Sequence, residues 1–203
     1  MYAFDKLDLM VAENNGYLMT SDVVAADVSK TYLKEYITKR NMQRVAQGVY
    51  VTDDTWEDPL YILQLRNGRI TFSHETALYL HTLTDREPDF VNTTVPAGYN
   101  ATHLRKQGVQ VYNTPIELFE MGRTKCKTVF GNEVMCYDMN RTICDIIKQK
   151  NNIEIQVFQT AIKEYMHSSE KNLTNLMLYA DALKITDKVR LYTEVMLLSL
   201  IHI

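Results

Sequence analysis

Few residues in this chain have types and spacings that could do chemistry. Ser73, His74 and Glu75 stand side by side in "SHET", the residue types of a hydrolytic triad. Adjacent residues at a helix start point in different directions, so the spacing does not make a triad. A helix start suits them better, with Ser73 as the N-cap and Glu75 in a first turn where the macrodipole favours an acid. Glu117, Glu120 and Asp138, with Lys125 and Lys127 nearby, are the residue types of a magnesium-dependent nuclease, but their spacing does not make the carboxylates converge. His81, His103, His167 and His202 have no ligand spacing. Cys126, Cys136 and Cys144 are odd in number and not closely spaced. They fit buried free thiols in a reducing cytoplasm better than a disulfide frame or a zinc site. The expectation is no catalytic residue, no metal and no cofactor.

The stronger signal is charge. The chain carries a formal net charge of −3, yet between Val28 and Val51 the cations Lys30, Lys34, Lys39, Arg40 and Arg44 face one acid, Glu35. Ser29 can cap a helix that puts Leu33, Tyr36 and Ile37 inside and Lys30, Thr31, Lys34 and Thr38 outside. Residues 42–45, a turn at Gly48 and residues 49–51 then read as a hairpin. With helical patterns over 2–13 and 21–26 before it, this is the plan of a winged helix-turn-helix. Such a helix enters the major groove of duplex DNA by its N-terminal end. Ser29, Lys30, Thr31 and Tyr32 stand where bases are read. Lys34, Lys39 and Arg40 suit phosphates, and Arg44 and Gln47 belong to the wing. Arg105, Lys106, Arg123, Lys125 and Lys127 form a possible second basic surface for flanking DNA, RNA or an acidic partner.

These residues need a scaffold. At 203 residues, 46% hydrophobic and 23% charged, the chain can bury a core. It has no apolar run long enough for a membrane span and no secretory start. Asp53 to Pro59 reads as a linker, which divides the chain into residues 1–58 and 59–203. After it, strand and helix patterns alternate, with Ile116 to Met121 and residues 128–130 among the strand candidates. Four helical patterns follow Met139. The expected class is α+β: a winged helix-turn-helix, then a mixed α/β domain ending in a bundle-like helical segment. The last stretch, Val195 to Ile201, is apolar nearly all round and is expected to be buried against the domain or against another chain.

Two motifs resemble the AbiEi-like antitoxins of bacterial abortive-infection, type IV toxin–antitoxin systems. One is "MTSDVVAADVSKTYLKEYITKRNMQRVAQGVYV", which resembles the family's winged helix, with a wing of the form "RVARGVYV". The other is "ITFSHETALYLHTLTDREPDFVNTTVPAGYN", Ile70 to Asn100, with its "SHETAL" helix, "LTDR.P" loop and "VP.GYN" strand end. The resemblance covers the order of parts through about residue 112. It implies a cytoplasmic autorepressor that binds inverted repeats in its own promoter, monomeric in solution and paired on DNA. It also implies that the C-terminal domain opposes a nucleotidyltransferase toxin without a stable complex, and that Lys30, Thr31, Arg44 and Gln47 face DNA. Gln47 stands where many relatives have arginine, so one wing charge is lost. Two other readings remain open: a repressor that responds to a small ligand, and a nuclease targeted by a winged helix.

Overall fold

A computed structural model describes residues 3–201, with side chains described through Val195. Among the described residues it holds eleven α-helices, one 3₁₀ turn and eight strands in two sheets, an α+β architecture. The chain divides into two compact units. Unit 1 is residues 1–68 with Phe130–Asn132, and unit 2 is residues 69–129 and 133–203.

Unit 1 runs α1 (Ala3–Glu13), β1 (Tyr17–Met19), α2 (Thr20–Ala25), α3 (Lys30–Lys39), β2 (Gln43–Ala46), β3 (Val49–Val51) and α4 (Pro59–Arg66). The three strands are antiparallel in the order β1-β3-β2, with a bulge between Arg44 and Ala46. Gly16 closes the turn after α1 at φ +88°, a left-handed conformation, and Thr55 fills the space a Cβ would need. The helices pack through Leu7, Val23, Val28, Leu33, Tyr36 and Met42. Leu33 and Tyr36 are buried on α3 and Ile37 is half-buried, while Lys30, Thr31, Lys34 and Thr38 are exposed, the division that the apolar spacing predicts.

The first domain is expected to end at residue 58, whereas α4 groups with unit 1. Asp58 caps α4, accepting from the Tyr61 amide at 3.1 Å, and Pro59 occupies its first turn. Tyr61, Ile62 and Leu65 pack on buried Tyr17, Val49 and Val51. The Tyr17 and Tyr61 rings meet edge-on at 5.0 Å. The acidic stretch before Pro59 thus ends in a helix cap.

Unit 2 begins with β4 (Thr71–Phe72), α5 (His74–Leu80), β5 (Asn92–Pro96), α6 (Thr102–Lys106), β6 (Gln110–Thr114) and α7 (Ile116–Phe119). It continues with β7 (Arg123–Lys127), β8 (Glu133–Tyr137), α8 (Met139–Lys148), α9 (Ile155–His167), α10 (Leu173–Ala182) and α11 (Thr186–Ile201). Its mixed sheet has the order β6-β5-β4-β8-β7. β4–β8 and β5–β6 are parallel; β4–β5 and β7–β8 are antiparallel. Every residue of α8 from Asn140 to Ile147 is buried. That helix packs against α5, α9, α10 and α11. Residues 116–119 are helical where a strand is expected, because Pro115 starts a turn of helix. Residues 128–130 form the connection between β7 and β8, so the strand lies earlier, at Arg123–Lys127. Of the apolar C-terminal stretch, Val195 is 55% exposed, and the side chains of residues 196–201 lie outside the described residues.

Candidate functional site

Ser29 caps α3 as its sequence position predicts, its hydroxyl accepting from the Tyr32 amide at 3.4 Å. The cap fixes where the helix begins, and so fixes the exposed row Lys30, Thr31, Lys34 and the 51%-exposed Tyr32. Lys30 and Lys34 take part in no ion pair among the described residues. The C-terminal end of the helix differs. Lys39 pairs with Glu35 at 2.8 Å, and Arg40 pairs with Asp8 at 2.5 Å. The Tyr36 hydroxyl also donates to Asp8, at 2.6 Å. That hydrogen bond and the Arg40 guanidinium hold the Asp8 carboxyl below its ordinary range. The two cations expected to meet phosphates are therefore engaged by acids, and the open positive charge lies at the start of α3. Arg44 is exposed on β2, with Nε donating to the Ala46 carbonyl at 3.3 Å, and Gln47 is exposed in the turn. All of these groups lie in unit 1.

The second basic group is not one surface. Arg105 and Lys106 lie on α6, which packs against β6 at one edge of the five-stranded sheet. Arg123, Lys125 and Lys127 lie on β7 at the opposite edge. Four strand spacings separate β6 from β7, roughly 19 Å. Arg123 pairs with Glu120 at 2.7 Å, and Lys125 with Glu133 at 2.9 Å. The acids that could have formed a magnesium site are committed or apart. Glu120 holds Arg123, Glu117 is exposed on α7, and Asp138 caps α8 while accepting from the Tyr179 hydroxyl at 3.0 Å.

Ser73 occupies the N-cap position of α5 but makes no cap hydrogen bond. Its hydroxyl lies 3.0 Å from His74 Nδ1 and accepts from the Thr94 hydroxyl at 2.9 Å. The two side chains were expected to diverge. They meet because His74 has φ +51°, which turns its ring back over Ser73 and onto Tyr112, stacked at 3.6 Å. Ser73 is 0% exposed and its hydroxyl is bonded inside the core, so this pair is a buried polar joint between α5 and the sheet.

Burial lowers the His74 pKa to about 4. The unfolded chain, titrating near 6.5, then binds more protons than the folded one between those values. This contribution to stability is complete above pH ~6.5 and is lost as pH falls toward about 4, by roughly 3 kcal/mol at most. Urea unfolding at several pH values, for wild type and His74→Asn, measures it. Asparagine tolerates the left-handed backbone. The variant is expected to lose less stability than wild type across that window, and parallel losses would refute the assignment.

Cys126 and Cys136 do not remain free. They pair as a disulfide across β7 and β8, with Cα atoms 6.1 Å apart, leaving Cys144 as a buried thiol. In the hairpin register Cys126 opposes Val134 and Cys136 opposes Thr124, so the two cysteines are diagonal neighbours. His81, at the end of α5, brings Nε2 to 3.6 Å from each sulfur. Sequence spacing gave no sign of this group, because its members come from three elements.

Fold and surface together define an α+β protein with an exposed basic helix face in its first unit. No protein-family profile matches the chain, and no curated protein does. Among solved structures it is similar to the RV2827C protein from Mycobacterium tuberculosis, at 10% identity and a TM-score of 0.54, over 93% of this chain and 78% of that one. At that identity the likeness is one of fold.

Proposed function

We propose that unit 1 is a winged helix-turn-helix that binds operator DNA, and that the protein represses its own promoter. The observation that carries this reading is the exposed face of α3, with Lys30 and Thr31 open at its capped start, Lys34 one turn on, and Arg44 and Gln47 on the adjoining hairpin. Exposed lysine and arginine release phosphate counterions, and the N-terminal residues of a helix in the major groove reach base edges. The acids on Lys39 and Arg40 confine the positive face, which favours one oriented docking over loose coating of DNA. A cytoplasmic protein pairing two copies on inverted repeats fits this arrangement. The antitoxin role, opposing a nucleotidyltransferase toxin, rests on the two sequence motifs. No helix among the described residues is long and apolar enough to cross a membrane.

A gel shift on the DNA upstream of the protein's own gene tests the repressor reading. Binding is expected to prefer that DNA over a scrambled duplex, and to weaken steeply as salt rises. Equal, weak binding to both duplexes at low salt would remove the reading.

A further inference from the structure

We propose that His81, Cys126 and Cys136, with both thiols reduced, form a binding site for a soft d¹⁰ cation, Zn²⁺ being the natural occupant to test. The site lies wholly in unit 2 and rests on nothing in the DNA-binding reading.

Geometry carries the proposal. The Nε2 and two Sγ atoms all lie within 4.8 Å of one another. Zinc holds thiolate sulfur at about 2.3 Å and imidazole nitrogen at about 2.0–2.1 Å, so a tetrahedral angle sets N and S about 3.5 Å apart. Both N···S separations are 3.6 Å, so two of the three ligand–ligand edges already have the required length. The third edge is closed by the disulfide. Reduction frees it to open toward about 3.8 Å, the S···S edge of a tetrahedral site. The Cα atoms, 6.1 Å apart on paired strands, allow this by side-chain rotation alone.

The surroundings suit a soft cation. Cys136 is 0% exposed and Cys126 is 8% exposed. Each ligand sits on a regular element or at its end: Cys126 on β7, Cys136 on β8 and His81 at the C-cap of α5. His81 Nε2 also lies 2.7 Å from the Tyr137 carbonyl. To ligate, that nitrogen gives up its proton and turns its lone pair to the metal. The carbonyl is not orphaned by this, because it also accepts from the Thr142 hydroxyl at 3.3 Å.

Three protein ligands leave a tetrahedral cation one open position. His81 and Cys126 face a cavity of about 360 Å³ that Lys125, Lys127, Asp138 and Glu170 also line. Asp138 is held by its cap and by Tyr179, so the fourth position falls to water, to a small anion drawn by the lysines, or to Glu170. The site is therefore of the open, exchangeable kind.

The test uses the full chain, reduced with a phosphine and dialysed against Zn²⁺, with Co²⁺ as the optical probe. One bound cation per chain is expected, with thiolate-to-cobalt charge-transfer absorption. Cys126→Ser and Cys136→Ser should each weaken binding by about 100-fold, and His81→Ala by about tenfold or more. Cys144→Ala should leave it unchanged, since that thiol is buried elsewhere and bonds the Leu176 carbonyl. His81 is only half-buried, so its variant keeps the test open if a cysteine variant fails to fold. Absence of stoichiometric metal on the reduced protein would overturn the proposal and leave the pair a structural disulfide. Undiminished binding by folded Cys126→Ser or Cys136→Ser would overturn it equally.

Discussion

Arg141→Ala is expected to destabilise unit 2 by about 3–5 kcal/mol, seen as an early urea transition and a melting point lower by roughly 10–20 °C. Arg141 is 2% exposed in the first turn of α8. Its Nε donates to both oxygens of Asp145 at 3.1 and 3.2 Å, one turn along the helix. Its Nη1 donates to the carbonyls of Leu118 and Met121 at 2.6 and 3.0 Å. The guanidinium also lies over the Tyr137 ring, 4.3 Å from its centroid. One side chain thus satisfies the end of α7, a buried acid and an aromatic face. The turn it holds comes close enough to require glycine. Gly122 has φ +80°, and a Cβ there would lie 2.7 Å from Arg141 Cβ. Alanine at 141 leaves Asp145 buried without its cation and two carbonyls without donors, and these desolvated groups set the size of the loss. The double change Arg141→Met with Asp145→Leu separates this account from simple loss of volume. Removing both charges should recover much of the stability, because a buried ion pair is worth little against an apolar pair of similar shape. A double variant as unstable as Arg141→Ala would show that the carbonyl contacts dominate.

Arg141 was not legible in the sequence, and the reason is instructive. Local patterns gave helical spacing from Met139 onward, and the structure buries Ile143, Ile146 and Ile147 on α8. But α8 is surrounded, so its polar positions are buried too, and no periodicity marks a charged residue that points inward. The same limit hid the His81, Cys126 and Cys136 group, whose members lie on a helix end and two strands. What was legible was local: the Ser29 cap, the buried stripe of α3 and the hairpin turn at Gly48 all depend on residues a few positions apart. Asp58 and Pro59 show local chemistry taken the wrong way. An acid before a proline marks both a linker and a helix start, and the apolar residues Tyr61, Ile62 and Leu65 should have decided for the helix. The basic residues from Arg105 to Lys127 fail for a third reason. Nearness in sequence says nothing of sheet order, which sets α6 and β7 at opposite edges.

On the proposed operator, Lys30→Ala with Thr31→Ala and Arg44→Ala is expected to lower affinity by about 100- to 1000-fold, with two charged contacts and one base-facing group removed. The slope of log affinity against log salt should flatten by about 2, one unit for each cation withdrawn from the DNA. All three side chains are exposed, and the helix cap at Ser29 and the buried contacts of Leu33 and Tyr36 are untouched. The fold should therefore hold to within about 0.5 kcal/mol, and melting curves will show it. Lys39→Ala is the control on the same helix. Its ammonium already pairs with Glu35, so its loss should weaken binding far less than loss of Lys30. A comparable loss at both positions would mean that the whole helix faces the phosphates and that the acid does not confine the surface. The triple variant also divides the molecule. One core cluster, on α5 and α8 to α11 with residues from Leu78 to Val189, lies within unit 2. If opposing the toxin is the work of that unit, the folded triple variant should still rescue cells expressing the toxin while it no longer shifts operator DNA. Failure to rescue would tie antagonism to the basic helix and make α3, rather than unit 2, the surface on which both activities meet.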